Sequence, residues 1–163
     1  MRAILKGHKH AVYSIAFSPN SRSLVSASAD GSVRIWNIRD GSSKVLPVIG
    51  LPSYFVSVVF SPDGRFVAAG NLGYTLWIWD SRTYRLVAMW KGRMDTVWCI
   101  EFTPDGTSLI CAAFNGTVKY WDVSSLGNRR GVSTGTIEEG FPEVVMFLGQ
   151  DVGCVLLLSP NVK

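Results

Sequence analysis

Short apolar runs separated by polar turns make up most of this chain. Runs such as Ala11 to Phe17 and Ser23 to Ser28 are rich in β-branched and aromatic residues, a composition typical of β-strands. A Phe-Ser-Pro or Phe-Thr-Pro triplet closes one run in each of three successive groups, at Phe17, Phe60 and Phe102. Because proline fixes φ and lacks an amide donor, it favours a turn directly after a strand. The pattern predicts an all-β protein.

The groups of runs also repeat at an almost constant interval. The third run of each group ends in a tryptophan, at Trp36, Trp79 and Trp121, with intervals of 43 and then 42 residues. A four-stranded propeller blade has a period of about 40 to 45 residues. In a propeller, the faces of each blade are buried against the two neighbouring blades, and roughly 4 to 8 blades close the ring. We therefore expect a partial β-propeller of three four-stranded blades plus the start of a fourth.

The turn positions divide the chain into expected repeats. The whole chain, 1–163, is interpreted as one partial propeller, with repeats over about 7–48, 50–90 and 92–123 and an incomplete repeat over about 144–163. The polar segment 124–140 is interpreted as an insertion loop, and loops of that length tend to be functional or disordered. The segment 2–6 is expected to be a lone strand that belongs to a preceding blade.

Composition and charge exclude several classes of protein. With 47% hydrophobic and 17% charged residues, the chain is expected to fold rather than to be disordered. Its three cysteines are widely spaced, which favours buried reduced thiols and a reducing compartment over disulfides or a metal site. No secretory signal or membrane helix is predicted. The net charge of +4 comes from scattered residues, so neither nucleic acid nor a membrane is an expected direct partner.

Polar residues at the ends of the first repeat resemble a known motif. Gly7-His8, Ser28-Ala29-Asp30-Gly31 and Trp36-Asn37 resemble a WD40 repeat, whose signature is a Gly-His pair at one end and a Trp-Asp pair at the other. The resemblance implies a structural, hydrogen-bonded tetrad, and its members would be His8, Ser28, Asp30 and Trp36. The repeat-end signature recurs in the other two repeats, at Trp79, Asp80, Trp121 and Asp122.

The second and third repeats lack the polar members of this tetrad. Aligned on the Ser/Thr-Pro turns, the three polar positions hold Leu51, Asn71 and Gly73 in the second repeat and Arg93, Ala113 and Asn115 in the third. We expect these two units to depend on apolar packing and to have lower intrinsic stability.

Enzymatic activity is not predicted. His8, Ser28 and Asp30 are the residue types of a hydrolase triad, but the sequence has no G-x-S-x-G nucleophile elbow. It also has no P-loop, no G-x-G-x-x-G and no H-E-x-x-H motif. The pair His8 and His10 lacks further ligands at metal-binding spacing. No catalytic residue, metal site or cofactor is therefore expected.

A finer resemblance runs through the segments 7–14, 24–28, 67–71 and 116–122, together with the late polar insertion. These segments are similar to middle blades of Tup/Groucho-type fungal general transcriptional corepressors. The resemblance implies a non-enzymatic interaction scaffold for transcription regulation that binds DNA-binding repressors or histone tails. It implies a nuclear location, with the cytoplasm as the alternative. Two other readings stay open: an adaptor or substrate receptor in a ubiquitin-ligase or RNA-processing complex, and a degenerate propeller fragment without independent function.

The loops at one end of the blades are the candidate binding surface. By alignment, the residues expected on this rim are Lys9, Tyr54, Leu72, Met94, Thr96 and Phe114. A cluster of exposed apolar side chains there would favour binding of proteins or short peptides. The alternative is that these side chains fold back over the blade faces. Open sheet faces at the ends of the partial ring are expected to need further blades or self-association.

Overall fold

The computed structural model describes residues 4–50, 53–91, 97–113, 115–124 and 126, and the backbone of three short strands further along the chain. Within these ranges the structure contains β-strands and turns and no helix. No described helix could therefore span a membrane. The prediction of an all-β fold is confirmed.

The strands form three four-stranded antiparallel sheets and one hairpin. The first sheet, blade 1, contains β1 (Val12–Phe17), β2 (Ser23–Ser28), β3 (Val33–Asn37) and β4 (Ser43–Val45). Blade 2 contains β5 (Phe55–Phe60), β6 (Phe66–Asn71), β7 (Thr75–Asp80) and β8 (Leu86–Lys91). Blade 3 contains β9 (Val97–Phe102), β10 (Ser108–Ala113), β11 (Val118–Asp122) and β12 (Thr134–Thr136), and the hairpin pairs β13 (Val144–Phe147) with β14 (Val155–Leu158).

The described residues depart from the predicted layout at two places. The segment 124–140, expected to be an insertion loop, contains β12, which pairs with β11 as the fourth strand of blade 3. Backbone hydrogen bonds can hold an outermost strand in place, so such a strand needs no apolar side-chain pattern. Thr134-Gly135-Thr136 has no such pattern, and no strand was therefore predicted there. Residues 4–6, expected to be strand, are not strand, and the neighbouring Gly7 lies against the side chains of Arg34 and Trp36 in blade 1.

Blade 2 is covered on both faces by its neighbours. One buried cluster joins blade 1 to blade 2 and includes Val25, Val33, Ile35, Val58, Trp77 and Trp79. A second joins blade 2 to blade 3 and includes Leu76, Ile78, Ile100, Phe102, Leu109 and Trp121. All of β6 and nearly all of β7 are consequently buried. The core of the molecule therefore lies between the blades, as in a propeller.

The first strands of the three blades lie side by side. The amide of Val58 donates to Ser14 Oγ at 3.2 Å, and the amide of Ile100 donates to Ser57 Oγ at 3.1 Å. Each hydrogen bond joins one first strand to the next, so β1, β5 and β9 form the inner ring of the partial propeller. The ends at which these strands begin are called the upper rim here, and the opposite ends the lower edge.

The face of blade 1 that points away from blade 2 is open. Ile15 and Phe17 are 60% and 62% exposed on β1, whereas Val58 and Ile100, at the positions of Ile15 in the next two blades, are 2% and 1% exposed. The repeat thus places apolar residues at one position in all three blades, and among the described strands these residues are covered by a preceding blade only in blades 2 and 3.

Candidate functional site

A chain of hydrogen bonds connects the upper rim of blade 1 to its core. The indole Nε1 of Trp36 donates to Ser26 Oγ at 2.7 Å, and Ser26 Oγ lies 2.6 Å from His8 Nε2. His8 Nδ1 lies 2.9 Å from a carboxylate oxygen of Asp30. The indole N–H can only donate, so Ser26 Oγ accepts from Trp36 and donates its own proton to His8 Nε2. His8 Nδ1 then carries the proton that is donated to Asp30, and every group in the series has a partner. The structure thus brings together three of the four predicted tetrad residues.

The predicted serine has to be corrected, because Ser26 rather than Ser28 bridges the imidazole and the indole. The strand register places Trp36 opposite Leu24, which is one diagonal step from Ser26 and two from Ser28. Ser28 lies closer to the β2–β3 turn, where its hydroxyl donates to the Ala11 carbonyl at 2.9 Å and accepts from the Asp30 amide at 3.1 Å. Ser28 therefore holds the turn in place.

The serine, imidazole and carboxylate have the connectivity of a hydrolase triad, but their surroundings indicate a structural role. Ser26 is only 2% exposed, and its hydroxyl already accepts the Trp36 indole. A nucleophile must reach a substrate carbonyl, and this oxygen lies under the blade surface. The arrangement therefore supports the loop geometry of the rim and presents no reactive group.

Asp30 is held as a carboxylate by the rim. Burial raises its pKa, but hydrogen bonds from the Ser32 hydroxyl, the Lys9 amide, His8 and the Ser32 amide outweigh that effect, so the pKa lies well below its usual value of 3.8. One carboxylate oxygen accepts from His8 and the Lys9 amide, and the other accepts from Ser32. The carboxylate thus ties the segment before β1 to the β2–β3 turn.

Within the described residues, blades 2 and 3 do not repeat this network. The residues at the position of Ser26 are Ala69 and Cys111, and Trp79 Nε1 donates instead to the Pro47 carbonyl at 2.8 Å. Burial raises the pKa of the Cys111 thiol to about 12, so this side chain acts as an apolar core residue. Both indoles of the repeat-end signature, Trp79 and Trp121, are buried.

The aspartates of the repeat-end signature close turns at the lower edge. One carboxylate oxygen of Asp80 accepts from the amides of Arg82 and Thr83, and one of Asp122 accepts from the Ser124 amide and hydroxyl. These contacts give the Trp-Asp pair a structural role in the lower turns.

Replacing Ser26 with Ala is expected to lower the free energy of unfolding by about 2 kcal/mol, since the Trp36 indole and the His8 imidazole would lose a buried partner. The matched variant Ala69→Ser places a hydroxyl at the same position of blade 2. Because blade 2 has no histidine to accept a hydrogen bond from this hydroxyl, the variant is expected not to stabilise the chain. Urea unfolding followed by tryptophan fluorescence measures both. An unchanged midpoint for Ser26→Ala would show that the hydrogen-bond chain contributes nothing.

The carboxylate of Asp30 also predicts a pH dependence. Because its pKa is lower in the folded than in the unfolded chain, its stabilising contribution is complete above the unfolded pKa of about 4 and is lost as the pH falls towards the folded pKa. Asp30→Asn is therefore expected to destabilise the chain at neutral pH and to do so progressively less below about pH 4. Unfolding curves of both proteins across this range measure the difference. An equal difference at all pH values would contradict the proposed charge state.

The structure describes half of the predicted rim residues. Lys9 is exposed, Tyr54 is 52% exposed and Leu72 is half-buried. The Leu72 amide donates to the Tyr54 carbonyl at 2.9 Å, which places these two residues next to each other on the upper rim of blade 2. Met94, Thr96 and Phe114 lie outside the described residues.

Three exposed aromatic residues near the same rim were not predicted. Tyr74, 47% exposed, lies in the β6–β7 turn, while Tyr13 and Trp98, 52% and 42% exposed, lie at β-bulges near the beginning of β1 and β9. A bulge residue turns its side chain out of the regular alternation of the strand. The alignment of the repeats could have pointed to the two bulge residues, because Tyr13, Val56 and Trp98 occupy the same position in the three blades.

The described residues contain no group of three or more histidine, cysteine or acidic side chains that could hold a metal ion. Among them, Cys99 and Cys111 are buried in the core, as expected from their place in predicted strands. Cys154 lies outside the described part of the chain.

The stacked four-stranded sheets, the inner ring and the His-Asp-Ser-Trp network define a propeller protein with a rim of exposed aromatic residues. A family model described as "WD domain, G-beta repeat" matches residues 1–37, 50–80 and 84–122, which is most of the chain. The chain therefore belongs to the WD40 repeat family. WD40 domains are generally interaction scaffolds that bind proteins or peptides and are generally not enzymes.

Curated relatives match most of this chain. "Periodic tryptophan protein 2" of Arabidopsis thaliana is 30% identical over 80% of the chain and 14% of its own length. "Guanine nucleotide-binding protein subunit beta" of Nicotiana tabacum is 31% identical over 84% and 38%. "Pre-mRNA-processing factor 19" of Oryza sativa subsp. japonica is 32% identical over 79% and 24%. The chain thus spans less than two fifths of each relative.

A solved structure supports the fold independently. The structure described as "Structure of U3-55K" superposes with a TM-score of 0.71 at 22% identity, covering 82% of this chain and 42% of the other.

Proposed function

We propose that this chain is a non-enzymatic scaffold that binds short peptide segments on the upper rim of blades 1 and 2. The proposal is supported by the exposed aromatic side chains at one end of the sheets of blades 1 and 2: Tyr13, Tyr54 and Tyr74. Tyrosine and tryptophan on a rigid framework supply large contact areas at little entropic cost, and they are frequent at the centres of protein interfaces. Lys9, which is also exposed, adds a positive charge to the upper rim of blade 1.

The biological setting that we propose first is that of a transcriptional corepressor. It rests on the resemblance of the repeat sequences to Tup/Groucho-type proteins, and the ligands would be segments of DNA-binding repressors or histone tails in the nucleus. On this proposal the open face of blade 1 is covered by a further blade or by self-association, since Ile15 and Phe17 are more than half exposed.

A second setting is an adaptor in an RNA-processing complex. The similarity to "Pre-mRNA-processing factor 19", at 32% identity, favours it. The two settings use the same rim and differ in the peptides that would bind there. A ubiquitin-ligase adaptor, or a propeller fragment without independent function, stays a further alternative.

The rim proposal predicts that Tyr54→Ala with Tyr74→Ala weakens peptide binding by about tenfold or more, because truncation of central aromatic residues at interfaces costs about 2 kcal/mol or more. The probes are fluorescent peptides from histone tails, repressor segments and pre-mRNA-processing proteins, titrated by anisotropy. Tyr120→Ala, which removes an exposed aromatic residue from the middle of β11, is the matched control.

Binding that is lost equally in the control would contradict the rim as the site. Binding of none of the three peptide sets would contradict both proposed settings, and preferential binding of one set would choose between them.

A further inference from the structure

A basic groove lies at the lower edge between blades 1 and 2, opposite the proposed peptide site. Its volume is about 740 Å³, and the cationic side chains that line it are those of Arg22, Arg39 and Lys44. Arg22 comes from the β1–β2 turn, Arg39 from the β3–β4 turn and Lys44 from β4. None of the lining residues is acidic. The groove therefore concentrates positive charge from three separate elements in one concave surface.

Asp40, in the β3–β4 turn of this edge, has both carboxylate oxygens occupied by its own turn. Asp40 accepts from the Ser42 amide at 2.8 Å through one oxygen and from the Asn37 amide group at 3.1 Å through the other. Within the described ranges, the one ion pair closer than 4.0 Å joins His8 to Asp30. Arg22, Arg39 and Lys44 thus have no carboxylate within that distance there, although the Arg39 charge is close enough to Asp40 to help lower the pKa of that carboxyl. An anionic ligand would meet three cations that form no close ion pair.

The walls of the groove fit a polypeptide better than a free anion. Ile35, Ile38 and Tyr84 supply apolar and aromatic surface beside the cations. One wall is β4, which is the last strand of its sheet, so its outer backbone groups are unpaired in the described structure. The register pairs Lys44 with Ile35 across β3, which leaves the amides of Ser43 and Val45 pointing outwards. An edge strand of this kind accepts an extended peptide as an additional strand.

We propose that this groove binds an extended acidic peptide, rich in Asp or Glu, alongside β4. The cations contact alternate carboxylates, and the outward amide and carbonyl groups of Ser43 and Val45 pair with the peptide backbone. The site is separate from the upper rim, so a scaffold with both surfaces could hold two segments at once.

The test uses the 163-residue chain and a fluorescent peptide of alternating Glu and Thr, titrated by anisotropy at low salt. Arg39→Gln with Lys44→Gln is expected to weaken binding by about tenfold, since removal of two cations removes most of the charge complementarity. Lys6→Gln with Lys9→Gln removes the same charge from the segment before β1 and is expected to change the affinity less than twofold. Hydrogen exchange at the Ser43 and Val45 amides is expected to slow when the peptide is bound.

Equal weakening in both double variants would show non-specific attraction to a basic protein and would overturn the proposal. Unchanged exchange at Ser43 and Val45 with a saturating peptide would overturn the placement along β4, and with it the proposal. Tighter binding of a single-stranded oligouridylate than of the acidic peptide, with the same variant dependence, would assign the groove to nucleic acid instead.

Discussion

Val58→Asp is expected to unfold the chain, whereas Ile15→Asp is expected to leave it folded, although both residues occupy the same position of the repeat. Val58 is 2% exposed between blades 1 and 2, and its replacement would bury an unpaired carboxylate. The cost of such a charge is about 4 kcal/mol or more, which approaches the whole stability of a typical domain. Ile15 is 60% exposed on the open face of blade 1, so the same change is expected to cost about 1 kcal/mol or less.

Circular dichroism and urea unfolding of the two variants measure this contrast. Ile15→Asp is also expected to reduce any self-association seen by sedimentation velocity, because it places a charge in the open apolar face. Equal destabilisation by the two substitutions would contradict the open face and would mean that Ile15 is covered in the folded chain.

Trp79→Ala is expected to lower the free energy of unfolding by about 3 to 5 kcal/mol, as large aromatic truncations in cores do. Trp79 is fully buried, stacks on Trp77 with ring centroids 5.9 Å apart and contacts the ring of Phe55. Its indole also donates to the Pro47 carbonyl, which ties blade 2 to the segment that leaves blade 1. The substitution therefore removes both apolar packing and a hydrogen bond between two blades.

Trp98→Ala is the matched control for this prediction, because it truncates a tryptophan that is 42% exposed at the inner ring. We expect a loss of about 1 kcal/mol there, the typical effect of a point mutation. Chemical denaturation followed by circular dichroism compares the two variants without relying on tryptophan fluorescence. A larger loss for Trp98→Ala than for Trp79→Ala would place the main core at the inner ring rather than between the blades.

The repeat period made the architecture predictable from the sequence. Positions 36, 79 and 121 mark the same end of the third strand in three sheets, and the Ser/Thr-Pro triplets mark the first turn of each. These signals are local, because strand and turn residues act through their own backbone geometry. Strand order and blade number followed from them.

The features that the sequence did not reveal depend on contacts between segments. Ser26 and Ser28 are chemically identical and two residues apart, and only the register with β3 decides which one reaches Trp36. The bulges that expose Tyr13 and Trp98 are properties of strand pairing rather than of one segment. Strand β12 has no apolar pattern at all. In each case the deciding interaction joins segments that are separated in the sequence, so the residue pattern within one segment could not predict it.

Hydrogen–deuterium exchange of the purified chain, with peptide resolution, tests most directly the claim that three stacked blades form the scaffold and leave one face open. We expect the strongest protection in β6 and β7, which are covered by a blade on each side, and clearly weaker protection in β1. Rapid exchange throughout β5 to β7, or equal protection of β1 and β6, would contradict this claim.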